Sequence, residues 1–129
     1  EGKVRLFGVY VGYGPGEHTR DFIYVKDVVK VNFYFWEHPE ISGIFNCGTG
    51  HAHQFNTLAK GVLKHFGSGE LEYVPFPEVL KGKYQSFTQA DTTNLLAAGY
   101  DGGFTPIEDA IAEYCALLDK TGGYYVYER

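Results

Sequence analysis

No methionine occurs anywhere in these 129 residues. A trimmed start, or a piece cut from something longer, is therefore expected. Cysteine is nearly as scarce, with only Cys47 and Cys115. A disulfide-rich secreted scaffold needs more pairs, and no secretory signal is visible. Two free, buried thiols in a cytoplasmic protein are the expectation. No apolar run approaches the roughly 20 residues that cross a bilayer, so no membrane partner is expected. Basic charge is thin as well: eleven scattered Lys and Arg face sixteen Asp and Glu, for a formal charge of -5. With no basic stripe to displace counterions from phosphates, no nonspecific nucleic-acid binding is expected. Internal repeats, low-complexity tracts and linkers are also missing. One domain with its own core is expected.

Aromatic side chains and glycine are what the chain has in quantity. Eleven Tyr and ten Phe must fill a core or form a partner surface. Gly12, Gly14 and Gly16, with Pro15, make residues 8-19 a loop, set between strands expected over 4-7 and 22-25. Residues 27-37 carry two patterns. Val29, Val31, Phe33 and Phe35 alternate as in a strand, while Val28, Val31, Phe35 and Trp36 behind an N-cap at Asp27 fit a helix.

Gly43 to Cys47 reads as a short buried strand. Phe55, Leu58, Ala59, Val62, Leu63 and Phe66 share one helical face, with Gly67 where a left-handed cap is wanted. A strand over 70-74 is stopped by Pro75 and Pro77. A helix over 91-98 closes at Gly99. Thr105-Pro106-Ile107-Glu108 reads as a capping box with proline at the first helical position. It opens a helix expected to bury Ile107, Ala110, Ile111, Tyr114 and Leu118 and to end at Gly122 and Gly123. Tyr124 to Tyr127 has strand chemistry and would make a sticky edge. The fold class expected is mixed α/β, short strands with three or four packed helices.

Several motifs invite chemistry, and most fall short of it. Gly48-Thr49-Gly50 follows the expected strand as a dinucleotide fingerprint would, but His53 stands where the third glycine is needed for close packing around a pyrophosphate. A plain strand-to-helix turn is the better reading. Cys47, His51 and His53 offer soft sulfur and imidazole for zinc, yet a fourth ligand is missing, so no metal is expected. No serine sits in a nucleophile elbow, and Gly82-Lys83 lacks the rest of a phosphate loop. Arg20, after the glycine-rich loop, could grip a phosphate with its planar fork, or pair with Asp21 or Asp27. Tyr84, between Lys81, Lys83 and Gln85 on an expected exposed loop, suits stacking on a base or donating to a phosphate.

Arg20-Asp21-Phe22-Ile23-Tyr24-Val25-Lys26-Asp27-Val28 and Asn46-Cys47-Gly48-Thr49-Gly50 resemble the carboxyl-terminal half of extended short-chain dehydrogenase/reductases acting on nucleotide sugars. Tyr73-Val74-Pro75-Phe76-Pro77, Leu80-Lys81-Gly82-Lys83-Tyr84-Gln85 and Phe87-Thr88-Gln89-Ala90-Asp91 narrow the resemblance to the ADP-L-glycero-D-manno-heptose 6-epimerases. It runs from Val4 to about Asp119. It implies a helix over 27-37, a nucleotide-sugar substrate domain over 1-120 and a divergent aromatic tail over 121-129. It also implies that Arg20 holds the substrate diphosphate, that Tyr84 contacts the same substrate, and that Phe7, Gly8, Val9 and Tyr10 line it. Val9 and Tyr10 depart from the small polar residue the family carries beside that glycine.

Family members bind NADP on an amino-terminal Rossmann half that also carries a Tyr-x-x-x-Lys pair. None of the eleven tyrosines here has a lysine four positions on. The expectation is therefore a detached substrate-binding domain, without cofactor or catalytic residues of its own. An ADP-sugar is its expected ligand. The rival readings are a sugar-nucleotide binding module without turnover and a self-associating module. A homo-oligomer through the aromatic surface or the tail strand is expected.

Overall fold

The structure, a computed structural model, describes residues 2-123. In chain order its elements are β1 (Lys3–Phe7), β2 (Thr19–Arg20), α1 (Val25–Glu37), β3 (His53–Gln54), α2 (Phe55–Phe66), β4 (Glu70–Val74), α3 (Thr93–Ala97) and α4 (Ile107–Lys120), with a 3-10 turn at Glu78–Leu80. The mixed α/β class and the four helices agree with the sequence pattern. The strand expected at 124-127 lies outside the described residues.

Half-buried Val4 and Leu6 alternate with the exposed charges of Lys3 and Arg5, which is strand patterning, and β4 pairs with β1 in parallel from Lys3 opposite Glu70 to Phe7 opposite Val74. Arg5 meets Glu72 at 2.8 Å across the pair. Exposed pairs of this kind contribute at most about 1 kcal/mol, so they favour the register more than they hold the sheet. The second sheet is only β2 against β3, antiparallel, Thr19 opposite Gln54 and Arg20 opposite His53.

Two apolar clusters do the packing. Leu58 and Val62 of α2, with Phe22, close on Ile107, Ile111 and Cys115 of α4. Val31, Tyr34 and Phe35 of α1 surround Leu95 and Tyr100 together with Phe45 and Phe104. Burying each such side chain contributes about 1.5 to 3 kcal/mol. The 27-37 segment is therefore helical because one face has this cluster to bury. The opposite face leaves Val25, Val29, Phe33 and Trp36 exposed. Helix α2 ends as expected, with Gly67 left-handed at φ 66° and its N–H donating to the Leu63 carbonyl.

Five expectations are corrected. No strand forms over 22-25, because the chain pairs earlier, at Thr19–Arg20, and turns helical at Val25. No strand forms over 43-47 either. No described strand lies alongside it, and Ile44 is 91 % exposed. Cys47 is accordingly exposed, while Cys115 is buried. Tyr114 points outward, and Cys115 takes the inward position on α4.

The fifth correction concerns both helix caps. Asp27 sits inside the first turn of α1 behind Tyr24, and Thr105 makes no capping box, since Pro106 is the N-cap of α4. The two residues bond to each other instead. The fully buried Asp27 carboxylate accepts from the Thr105 N–H at 2.7 Å, the Thr105 hydroxyl at 3.0 Å and Lys30 at 2.9 Å. One carboxylate thus ties the start of α1 to the residues leading into α4.

Burial alone would raise the Asp27 pKa, but the Thr105 N–H, Lys30 and the Thr105 hydroxyl together hold it below the usual carboxylate value. A depressed folded value means the stability it contributes is present above about pH 4 and is lost as pH falls through the folded pKa. Asp27→Asn is expected to cost about 1 to 3 kcal/mol in urea denaturation at pH 7. The gap from the parent protein should narrow below about pH 4; a gap that stays constant from pH 7 to pH 3 contradicts this assignment.

Candidate functional site

The motif from Arg20 to Asp27 divides its charges unequally. Among the described residues Asp21 forms no ion pair. Its carboxylate accepts from the main-chain N–H of Thr49 at 2.9 Å, Gly50 at 2.9 Å and Ala90 at 3.1 Å, and from the Thr49 hydroxyl at 2.5 Å. Burial pushes its pKa up, but these four bonds outweigh that and hold it low. Gly48-Thr49-Gly50 is thereby assigned a structural task, the seat of Asp21. Gly48 is required by contact, since a Cβ there would collide with Ala90 and lie 2.8 Å from Asp21 Oδ2.

With Asp21 and Asp27 both occupied, Arg20 makes no ion pair among the described residues. The pairing alternative is not what the structure adopts. The Arg20 guanidinium donates to its neighbour's carbonyl, Thr19, at 2.7 Å and lies over the Tyr84 ring at 4.8 Å and the Phe55 ring at 5.8 Å. The rings hold the cation by its faces and leave most of its donors unused. Half-buried and pre-oriented in this way, it is arranged for an anion.

Tyr84 is half-buried and not an exposed loop residue. It meets Phe7, His18 and Phe76 edge to face at 5.9, 5.3 and 5.3 Å. Tyr10 stacks on Phe76 at 3.8 Å, and its hydroxyl accepts from the Gly82 N–H at 2.6 Å, fastening the loop that carries Tyr84. Of the residues singled out from the sequence, Phe7, Tyr10, Arg20 and Tyr84 converge here. Gly8 only extends the strand pairing, with its N–H donating to the Val74 carbonyl at 2.7 Å, and Val9 faces solvent. A cavity of about 180 Å³ opens between Phe7, Gly16, His18, Phe55 and Tyr84.

Three of these residues escaped sequence reasoning. Phe55 and Phe76 appeared there only as a helix face and a motif letter. His18 had a readable signal, because positions 18 and 20 fall on one side of an extended chain. It is buried in an aromatic cage. Burial, with the Arg20 charge beside it, lowers its pKa against a main-chain hydrogen bond to Tyr10 that raises it. Elsewhere, His51 Nδ1 lies 3.1 Å from the Thr49 carbonyl, and no group of three metal-binding side chains occurs among the described residues. No described helix is long and apolar enough to cross a membrane.

A model of the NAD dependent epimerase/dehydratase family matches residues 2-48. Solved structures of sugar-nucleotide enzymes superpose on nearly the whole chain. UDP-glucose 4-epimerase of Thermotoga maritima, with UDP-glucose, is 28 % identical, with a TM-score of 0.72 over 92 % of this chain and 35 % of its own. ADP-L-glycero-D-manno-heptose-6-epimerase of Helicobacter pylori is 25 % identical, with a TM-score of 0.71 over 91 % of this chain and 33 % of its own. UDP-glucose 4-epimerase of Bifidobacterium longum, in complex with NAD+ and UDP, is 22 % identical, with a TM-score of 0.74 over 94 % and 36 %. The chain shares the fold of a part of each of these enzymes. The chain spans about a third of the length of each of these enzymes.

Gly48→Ala tests the structural reading of the glycine turn. It is expected to destabilise by about 1 to 3 kcal/mol through overpacking. NAD or NADP should leave the melting temperature of both proteins unchanged. A dinucleotide that stabilises the parent and not the variant would assign the turn to cofactor binding.

Proposed function

We propose that this chain is the substrate-holding part of an NAD(P)-dependent sugar-nucleotide epimerase of the ADP-glyceromanno-heptose 6-epimerase kind, binding the sugar nucleotide without moving hydride itself. The observation that carries this reading is the Arg20 guanidinium, without an ion pair among the described residues and held over Tyr84 and Phe55, two rings that line the cavity. A planar fork with free donors matches a diphosphate. Phe7 and Tyr84 supply faces for a ring. At about 180 Å³ the cavity takes one ring-sized group and not a whole sugar nucleotide, whose pockets run from about 300 Å³ upward. The rest of the ligand would lie across Arg20, against a wall supplied by another segment. Nicotinamide cofactor and the Tyr/Lys pair are assigned to that other segment, in keeping with the 129 residues having no Tyr-x-x-x-Lys. Hydride transfer needs both.

The unpaired extended segment around Ile44 and the outward row Val25, Val29, Phe33 and Trp36 on α1 are apolar surface without a described partner. They favour a companion segment of the same enzyme docking there. They equally supply the second reading, a module that associates with copies of itself. Beside α1 they continue into a groove lined by Tyr24, Val25, Val29, Tyr114 and Leu117.

Calorimetry with an ADP-sugar tests the first reading. Binding is expected in the millimolar to high micromolar range, with Arg20→Ala weakening it at least tenfold, the effect of losing charge-assisted hydrogen bonds worth about 1.5 to 3 kcal/mol. Unaltered affinity in Arg20→Ala would remove the site. Light scattering tests the second: a dimer or larger that Trp36→Glu dissociates supports self-association, and a monomer at all concentrations eliminates it.

A further inference from the structure

Two features meet in the loop before β2. Val11 adopts φ 47° at the tip of a turn closed by Tyr10 and Tyr13, whose main chains exchange hydrogen bonds of 3.1 Å. A β-branched residue in that left-handed region is strained by contact of its Cβ with the backbone. Val9 and Val11 are 68 and 69 % exposed, so packing against the tip does not explain why the strain is tolerated. Beneath the turn lies His18, 2 % exposed, whose Nε2 has no hydrogen-bond partner among the described residues. Tyr13 stacks on the imidazole at 5.3 Å and Tyr10 tilts over it at 6.3 Å. Phe76 and Tyr84 enclose the other sides at 5.8 and 5.3 Å.

Two of the four walls around His18 therefore belong to the strained turn; of the other two, Tyr84 lines the cavity beside His18 itself and Phe76 packs on Tyr84. We propose that residues 9-13 form a flap over His18, and that displacing it presents the imidazole Nε2 to the ligand held by Arg20 and Tyr84. The ligand role rests on the sugar-nucleotide reading above. The closed flap carries both costs, a strained Val11 and a buried polar atom without a partner, and opening relieves both. Its latch is the Tyr10 contact with Phe76, the Tyr10 hydroxyl bond to Gly82 and the Tyr10 main-chain hydrogen bond to the imidazole, which opening breaks. Gly82 lies two residues from Tyr84, so flap and ring would shift together. A neutral imidazole suits a ligand hydroxyl or amino group lying within reach of the diphosphate.

Diethylpyrocarbonate labelling followed by peptide mass spectrometry reads the flap without any ligand, since a buried imidazole reacts only when uncovered. Val11→Gly relieves the strain of the closed turn and is expected to slow labelling of His18 about tenfold, relative to the exposed His51 as internal reference. A rate that is unchanged or faster overturns the flap. Titration with ADP-glucose reads the ligand role. His18→Phe fills the cage without a nitrogen and is expected to weaken binding about tenfold, whereas His18→Gln, which keeps a polar atom there, retains most of the affinity. Equal losses in both variants, or none in His18→Phe, overturn that role. A parent protein that binds no ADP-glucose at all sinks the sugar-nucleotide reading and the ligand role together, while the labelling rates still decide the flap.

Discussion

The carboxylate of Asp21 is the interaction on which the rest of the structure depends. It gathers N–H groups from residues 49, 50 and 90, segments that no sheet ladder joins. Without it those donors would be half-buried and unsatisfied, at a cost of about 1 to 3 kcal/mol each. Asp27 does the same for the residue before the α4 cap. Two acidic residues six positions apart thus brace a chain whose described sheets pair only ten residues in β1 and β4 and four in β2 and β3. Sheet pairing alone could not fix these distances.

The same economy creates the site. An arginine with one aspartate next to it and another seven positions on would ordinarily neutralise itself against one of them. Here both carboxylates are committed to main chain, and aromatic rings take up the guanidinium by its faces. Charge is left available in a half-buried setting, where attraction to an anion is screened less than at a fully wet surface. The aromatic abundance of the sequence is explained in part by this arrangement. Phe7, Tyr10, Phe76 and Tyr84 form a contiguous set of rings around His18, separate from the clusters that pack the helices.

Local pattern was legible wherever an element satisfies itself. Helix α2 shows its buried face and its Gly67 cap, and β4 stops where Pro75 forbids further pairing. Reading failed where a partner distant in sequence decides. The segment around Ile44 has strand composition but no described neighbour, and composition cannot supply one. Thr105 has capping-box spacing, yet Asp27 competes for its hydroxyl and wins from 78 residues away. Arg20 and Tyr84 were marked from the sequence as anion and ring contacts, and the structure puts them 4.8 Å apart; His18 was overlooked because its importance comes from what encloses it.

The central claim is that Arg20 has no ion pair among the described residues because Asp21 is spent, and the function proposed for it is to hold a sugar nucleotide. Amide chemical-shift mapping during titration with ADP-glucose tests it most directly. The account predicts the largest changes at Phe7, His18, Arg20 and Tyr84, with Thr49, Gly50 and Ala90 left in place because their N–H groups stay on Asp21. Largest changes at Gly48 to Gly50, or none anywhere at saturating ligand, would contradict it.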